Sequence, residues 1–124
     1  MNIGAKILRF ERCPTTNDLA RNLAARGEEE GMVIVAAEQS CGRGTRGRSW
    51  FSPKGKGLYM SVVFRPPADA VVLLPLAAGL AVREALSTAC QLEAGLKWPN
   101  DIFAGDKKLG GILCESQWTG SKLD

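Results

Sequence analysis

Residues 39–50, reading Q-S-C-G-R-G-T-R-G-R-S-W, lie between two apolar runs at 32–37 and 58–64 and decide what those runs can build. Gly42-Arg43-Gly44-Thr45-Arg46-Gly47 satisfies G-x-G-x-x-G directly after a strand candidate, and with Arg48-Ser49 it nearly satisfies a P-loop. Both phosphate-binding folds need a helix to start at these glycines, because the helix N-terminus holds the phosphate. Here residues 48–57 contain Pro53, Gly55 and Gly57, and an apolar run resumes at Leu58. Ten such residues leave no room for a crossover helix. Asp69 stands near the distance of a ribose-binding acid, but without that helix the spacing carries no meaning. The chain must therefore join two strands through a glycine- and arginine-rich loop.

The loop's chemistry is that of an anion cradle. Arg43, Arg46, Arg48, Lys54 and Lys56 place five cations between Gln39 and Gly57 without one carboxylate. Glycine lets backbone N–H groups approach a ligand, and arginine forks take phosphate or carboxylate oxygens two at a time. Disordered arginine-glycine tracts that bind RNA usually repeat and lack apolar flanks. This one is single and flanked by strand candidates, so a structured active-site loop is expected.

The remaining segments predict a mixture of helices and strands. Residues 6–10 read as a short strand stopped by Cys13-Pro14. A helix then runs to about Arg26, capped by Thr15 or Thr16, with Asp18 in the place of a capping-box glutamate, Leu19 and Leu23 on its apolar face, and Gly27 ending it. Residues 28–30 read as a solvated acidic turn, and residues 32–37 and 58–64 as buried strands. From about Leu74 to Ala89 the pattern is helical, with Pro75 suited to the first turn and Arg83 and Glu84 on the wet face. Residues 96–98 and 102–103 are short strands around Pro99-Asn100-Asp101, Gly105-Asp106 is a turn, and residues 109–115 form the returning strand. Hairpin links among the last strands imply an α+β fold with a mixed β-sheet, one domain in all.

Two further groups of residues suggest ligand contacts. Lys97-Trp98-Pro99-Asn100-Asp101 is followed by Lys107-Lys108-Leu109-Gly110-Gly111. A turn and a bulge account for part of this pattern. Asp101 also suits magnesium, and the paired glycines let a ligand lie against the strand, giving a second wall for the anion. Thr15-Thr16-Asn17 is explained by helix capping alone, although a helix N-terminus also offers hydroxyl and amide groups to a polar ligand.

Composition excludes other chemistries. With 124 residues, 45% hydrophobic and 23% charged, the chain has the make-up of an ordinary globular domain, and its net charge of +3 is too small for a generally basic nucleic-acid binder. No histidine exists to serve a Ser-His or Cys-His nucleophile or a mixed zinc site. Cys13, Cys41, Cys90 and Cys114 are widely spaced, so reduced thiols are expected. The N-terminus lacks a signal-peptide apolar region, and no apolar run approaches about 18 residues, so a cytoplasmic, non-membrane protein is expected.

Taken together, Thr15-Thr16-Asn17, G-R-G-x-x-G-R-x-W at 42–50, Phe51-Ser52-Pro53, Gly57-Leu58-Tyr59, K-W-P-N-D at 97–101 and K-L-x-G-I-L at 108–113 resemble the catalytic domain of biotin–protein ligases. The resemblance covers essentially the whole chain in order. It implies a fold related to class II aminoacyl-tRNA synthetases and lipoate ligases, a mixed sheet with helices on one side. It also implies a two-step reaction, in which biotin and ATP give biotinyl-5'-adenylate and a carrier-protein lysine then takes the biotinyl group. Carried over by position, Thr15, Thr16, Asn17 and Gln39 bind the biotin head group, with Gly42 and Arg43 beside it. Arg46, Arg48 and Lys97 meet phosphates, and Trp50 walls the nucleotide. Asn100 and Asp101 hold ATP and Mg2+, Lys108 bridges biotin and phosphate, and Gly111 contacts the biotin tail. The implied partner is the biotin carboxyl carrier protein of acetyl-CoA carboxylase or a related carboxylase. No DNA-binding helix-turn-helix is seen, and a homodimer through a sheet edge is left open.

Two departures from the family pattern bear on activity. Many members carry arginine where this chain has Thr45, which removes a cation near the adenylate and predicts looser retention of that intermediate. Members also continue with a G-x-G-x-N segment, further helices and a small barrel, so the 124 residues are expected to behave as a truncated ligase with impaired turnover. A non-catalytic biotin-binding fragment and a related lipoate or octanoyl ligase are the alternatives.

Overall fold

A computed structural model describes residues 1–119, 122 and 123. By backbone proximity the chain divides into two compact units, Met1–Pro66 with Ser116–Asp124, and Pro67–Glu115.

The first unit is built on strands β1 (Ile7–Cys13), β2 (Val33–Gln39) and β3 (Tyr59–Val62), with helix α1 (Thr16–Ala25) between the first two. Strand β2 is central, parallel to β1 and antiparallel to β3, so this three-stranded sheet is mixed, as the sequence predicts. Parallel neighbours need a crossover, and α1 supplies it. Leu19, Ala20, Leu23 and Ala24 form the apolar face of α1, packed with Leu8, Met32, Ile34 and Val63. Ile34 is wholly buried, a burial worth on the order of 2 kcal/mol. A short antiparallel pair, β7 (Trp118–Thr119) with β8 (Lys122–Leu123), also belongs to this unit, where the sequence suggested no element.

Helix α1 begins as its sequence dictates. Thr15 is the N-cap, and its hydroxyl accepts from the Asp18 backbone N–H at 3.0 Å. Its other end is closed from a distance, by the Arg65 guanidinium donating to the carbonyls of Ala24 and Glu28 at 2.9 and 2.7 Å. The acidic turn at 28–30 is a hub of contacts, which corrects its reading as merely solvated. Glu28 binds Lys6 at 2.8 Å and Glu30 accepts from the Arg65 backbone N–H. The second apolar run also differs from expectation. Tyr59, Ser61 and Val63 face inward while Leu58 and Met60 are exposed, because β3 is an edge strand with one covered face.

The second unit contains α2 (Leu74–Cys90), preceded by a 3-10 turn at Ala68–Leu73, and an antiparallel sheet of β4 (Gly95–Lys97), β5 (Asp101–Ala104) and β6 (Lys107–Gly111). Gly79 is the buried residue of α2, and a side chain there would meet Leu96 and Ile112 at 3.6 Å. The last strand starts at Lys107 and ends at Gly111, earlier on both counts than expected. The tight turn at Gly105-Asp106, with Gly105 at φ 64°, forces immediate pairing. The register then slips, pairing Phe103 with Lys108 and Ile102 with Gly110, so Leu109 is bulged out.

One expectation about apolar runs needs correction. The helical segment Ala68–Cys90 is 23 residues long and contains an 18-residue window of mean hydropathy 1.7, long and apolar enough to cross a membrane by length and composition. The apolar stretch is carried across Arg83 and Glu84 by helical continuity, which a search for uninterrupted runs misses. Val72, Leu73, Leu76 and Leu80 on it are exposed.

Candidate functional site

The buried polar residues of the first unit converge at the start of α1. Thr15, Thr16, Ser52 and Ser61 are all buried. Strand β2 ends at Gln39, whose side-chain Oε1 accepts from the Thr16 backbone N–H at 2.8 Å, satisfying one of the donors a helix start leaves open. The Gln39 Nε2 donates to Ser52 Oγ at 3.0 Å, and that hydroxyl donates to the Trp50 carbonyl at 3.1 Å. The Thr16 and Ser61 hydroxyls are 2.7 Å apart, and Ser61 Oγ also donates to the Asn17 side-chain carbonyl. No buried side-chain polar atom in the described residues lacks a partner. Thr15, Thr16, Asn17 and Gln39, singled out by sequence, are thus brought together as one hydrogen-bonded cluster.

The basic loop is a hairpin. Gln39 pairs with Ser52 and Arg43 with Ser49, Trp50 N–H donates to the Gly42 carbonyl at 2.8 Å, and Gly44 N–H donates to the Arg48 carbonyl at 2.7 Å. Only a three-residue 3-10 turn, Thr45–Gly47, occurs at the glycines, and no α-helix starts there, which agrees with the rejection of both nucleotide fingerprints. At its tip Arg46 adopts φ 59° and Gly47 φ 71°. The left-handed conformation costs a non-glycine residue roughly 1 kcal/mol. Gly42 is required by close approach. A Cβ there would lie 2.5 Å from Ser52 Oγ and 3.0 Å from Gln39 Nε2.

The loop arginines fall into two groups. Arg43 is partly buried, its guanidinium 2.9 Å from the Asp18 carboxylate and 3.4 Å from the Thr15 hydroxyl. It is locked onto the start of α1. Arg46 and Arg48 are exposed and have no ion pair among the described residues, so both remain available to an anion. Trp50 is half-buried at the loop's exit.

In the second unit the predicted residues assemble around the β4–β5 turn. Lys97 pairs with Asp101 across the strands, and its ammonium sits 5.7 Å from the centroid of the Phe103 ring. Lys108 Nζ lies 2.9 Å from Asp101 Oδ1. The Asn100 carbonyl accepts from Ile112 N–H at 2.9 Å, and a Cβ on Gly111 would approach that carbonyl at 3.6 Å. Lys97, Asn100 and Asp101 line one small cleft with Gly79, Leu96 and Trp98. Among the described residues no three His, Cys, Asp or Glu side chains gather to hold a metal. Asp101 alone fits Mg2+ as one ligand, since that ion is commonly held by one or two carboxylates together with substrate phosphates.

Sequence reasoning did not single out Asp18, Ser52 and Ser61 as parts of the site. For Ser61 a signal existed, a hydroxyl at an inward position of a strand with period-two alternation. Asp18 was read as a cap partner, while its carboxylate is turned to Arg43, a contact no local pattern contains. Ser52 stands in the Phe51-Ser52-Pro53 motif, but nothing local assigns it a partner.

Comparison with known proteins gives the cluster a context. Residues 9–124 match the biotin/lipoate A/B protein ligase family. The chain is 39% identical over 107 residues to a biotin–[acetyl-CoA-carboxylase] ligase of Mycobacterium tuberculosis, covering 82% of this chain and 40% of that protein. It resembles a biotin protein ligase of Leishmania major solved with biotinyl-5-AMP, with TM-score 0.81 and 37% identity over 96% of this chain and 54% of that one. It also resembles a biotin protein ligase of Aquifex aeolicus solved with biotin and ATP, with TM-score 0.78 and 32% identity over 96% of this chain and 49% of that one. The chain spans 36% to 40% of the length of the curated relatives it matches first. The family match takes in the Thr15–Asn17 helix start, the basic hairpin and the Lys97–Asp101 turn together, and the chain belongs to the biotin/lipoate A/B protein ligase family.

Proposed function

We propose that this chain carries the biotin-handling part of a biotin–protein ligase, which joins biotin to a carrier-protein lysine through biotinyl-5'-adenylate. The observation that carries this reading is the joint tethering of Gln39 and Arg43, an amide and a guanidinium from one loop, to the start of α1. An uncharged, hydrogen-bonding head group with a carboxylate elsewhere on the molecule suits such a cluster beside a basic loop.

In the first step a carboxylate oxygen of biotin attacks the α-phosphorus of ATP, and the bond to the pyrophosphate oxygen breaks. The two reactants are both anions, so their approach has to be offset by cations. Arg46 and Arg48 are assigned to the phosphates on their exposure and on having no acidic partner among the described residues, with Lys97 joining them. Thr15, Thr16, Asn17 and Gln39 hold the head group, Gly42 and Arg43 lie beside it, and Trp50 walls the nucleotide. Asn100 and Asp101 take ATP together with Mg2+, which when bound supplies charge neutralisation at the phosphates. Lys108 leaves its pairing with Asp101 to bridge biotin and phosphate, and Gly111 meets the biotin tail. In the second step the neutral ε-amine of a carrier lysine attacks the acyl carbon and AMP departs. The basic hairpin acts as a lid that keeps water from the adenylate. The carrier is the biotin-accepting domain of a carboxylase, the cytoplasm is the compartment, and a sheet edge is the surface through which two copies would pair. All 124 residues act as one catalytic domain in this reading.

Calorimetric titration with biotin, with ATP and with both, followed by assay of pyrophosphate, tests it. Biotin binding is expected, with pyrophosphate released only when both ligands are present. Preference for lipoate over biotin would move the chain to another branch of the family. Biotin binding without pyrophosphate would leave a capture module, and binding of neither would overturn the reading.

A further inference from the structure

We infer that Ser52 is a positioning residue for the head-group site, setting the orientation of the Gln39 amide and closing the base of the basic hairpin. This rests on the proposed biotin site only for its ligand readout. The orientation of Gln39 follows from donor and acceptor chemistry alone. A backbone N–H can only donate, so the atom facing Thr16 N is Oε1, and Nε2 must face Ser52. Ser52 Oγ has one proton and gives it to the Trp50 carbonyl. It therefore meets Nε2 with a lone pair, and a reversed amide would set two donors together at Thr16 and oblige the Ser52 hydroxyl to give up the Trp50 carbonyl. One of the two Nε2 protons is used in this way, and the other is left to donate to an acceptor atom on a ligand.

The same hydroxyl sits at the crossing of the loop's two arms. Gln39 N–H donates to the Ser52 carbonyl at 3.1 Å, so backbone and side chain of the same two residues are joined twice. Gly42, at the start of the cradle, passes so close that a Cβ would come within 2.5 Å of Ser52 Oγ. Ser52 is only 3% exposed, so it acts through Gln39 and the loop rather than by touching a ligand.

The test compares the parent chain with Ser52→Ala, Gln39→Ala and the double variant. Ser52→Cys, nearly isosteric and a poor hydrogen-bond partner, serves as a second probe that opens no cavity. Without any ligand, the side-chain amide protons of Gln39, assigned by their loss in Gln39→Ala, should exchange with water more slowly than those of exposed Gln117. Ser52→Ala and Ser52→Cys should accelerate that exchange about fivefold to tenfold, the worth of one hydrogen bond. With biotin, Ser52→Ala should weaken binding by a similar factor, and the double variant should bind no more weakly than Gln39→Ala. Unchanged Gln39 exchange in both Ser52 variants, or fully additive losses in the double variant, would overturn the assignment. A parent chain that binds no biotin yet shows the exchange effect would sink the biotin reading and leave the role of Ser52 standing.

Discussion

The two groups of predicted ligand residues are built on opposite physical plans. Around the start of α1 the Thr15, Thr16, Ser52 and Ser61 hydroxyls are buried, and the half-buried Gln39 amide is held by neutral partners at both its oxygen and its nitrogen. At the β4–β5 turn the polar groups are charges in partial contact with solvent, with Asp101 set against Lys108 and Lys97 beside an aromatic ring. A buried neutral network is costly to disturb, because every atom that loses its partner stays desolvated. A solvated ion pair is cheap to break, since water replaces either partner. The first group is therefore suited to recognising a neutral head group in a fixed shape. The second is suited to exchanging partners, as the proposed phosphate role requires.

The strongest way to break this comparison is to crowd the buried network. Gly42→Ala places a methyl group against Ser52 Oγ and Gln39 Nε2 in a region with no space to give. Overpacking of this kind should destabilise the first unit by about 3 kcal/mol, read by chemical denaturation, and abolish biotin binding. Near-normal stability would show that the hairpin base yields easily and that the first group is not preorganised.

A smaller structural effect is expected in the second unit. The Lys108 and Asp101 side chains are 41% and 28% exposed, so Lys108→Ala should change unfolding stability by less than about 1 kcal/mol. The same variant should lower pyrophosphate release by about a hundredfold, because a cation acting on developing charge is worth far more than one in a surface pair. Asp101→Asn should likewise leave the fold intact. If either change unfolds the unit, the pair is structural and the contrast with the first group fails.

How much of this could be read from the chain depends on whether a feature is local. The Thr15 cap, the burial of residues 32–37 and the absence of a helix after Gly47 each follow from a few adjacent residues, and each is present. The mixed sheet followed from connection lengths. What escaped is long-range. Arg65 closing the far end of α1 and Asp18 holding Arg43 join residues 41 and 25 positions apart, and no periodicity encodes such pairings. Strand ends were misjudged where tertiary register decides them. Strand β6 ends at Gly111, opposite Asp101 where β5 begins, while the apolar run in the sequence continues past it. The candidate site residues could be named as a set only because several short motifs occur at fixed separations. The hydroxyls beneath them were not assigned a role, because their partners Gln39 and Thr16 lie 13 and 45 positions away in the chain.

The smallest effect concerns Cys13, which is 5% exposed at the end of β1 beside the buried network. Burial pushes its thiol pKa above the ordinary value of 9.0, and the Asp18 carboxylate pushes in the same direction. A raised folded-state pKa means that the native chain holds this proton more tightly than the unfolded chain does. The resulting stability is fully present below pH 9.0, where both states are protonated, and is lost as pH rises through the folded-state value. Thermal midpoints measured from neutral pH upward should be insensitive to Cys13 at first and then decline above pH 9.0, with Cys13→Ala flattening that decline. Alkylation at pH 8 should follow the same order, with exposed Cys41 and Cys90 labelled well before Cys13, since thiolate and access are both needed. Labelling of Cys13 as fast as Cys41 would mean that the end of β1 opens readily, and the buried group could then no longer be treated as the rigid half of the pair.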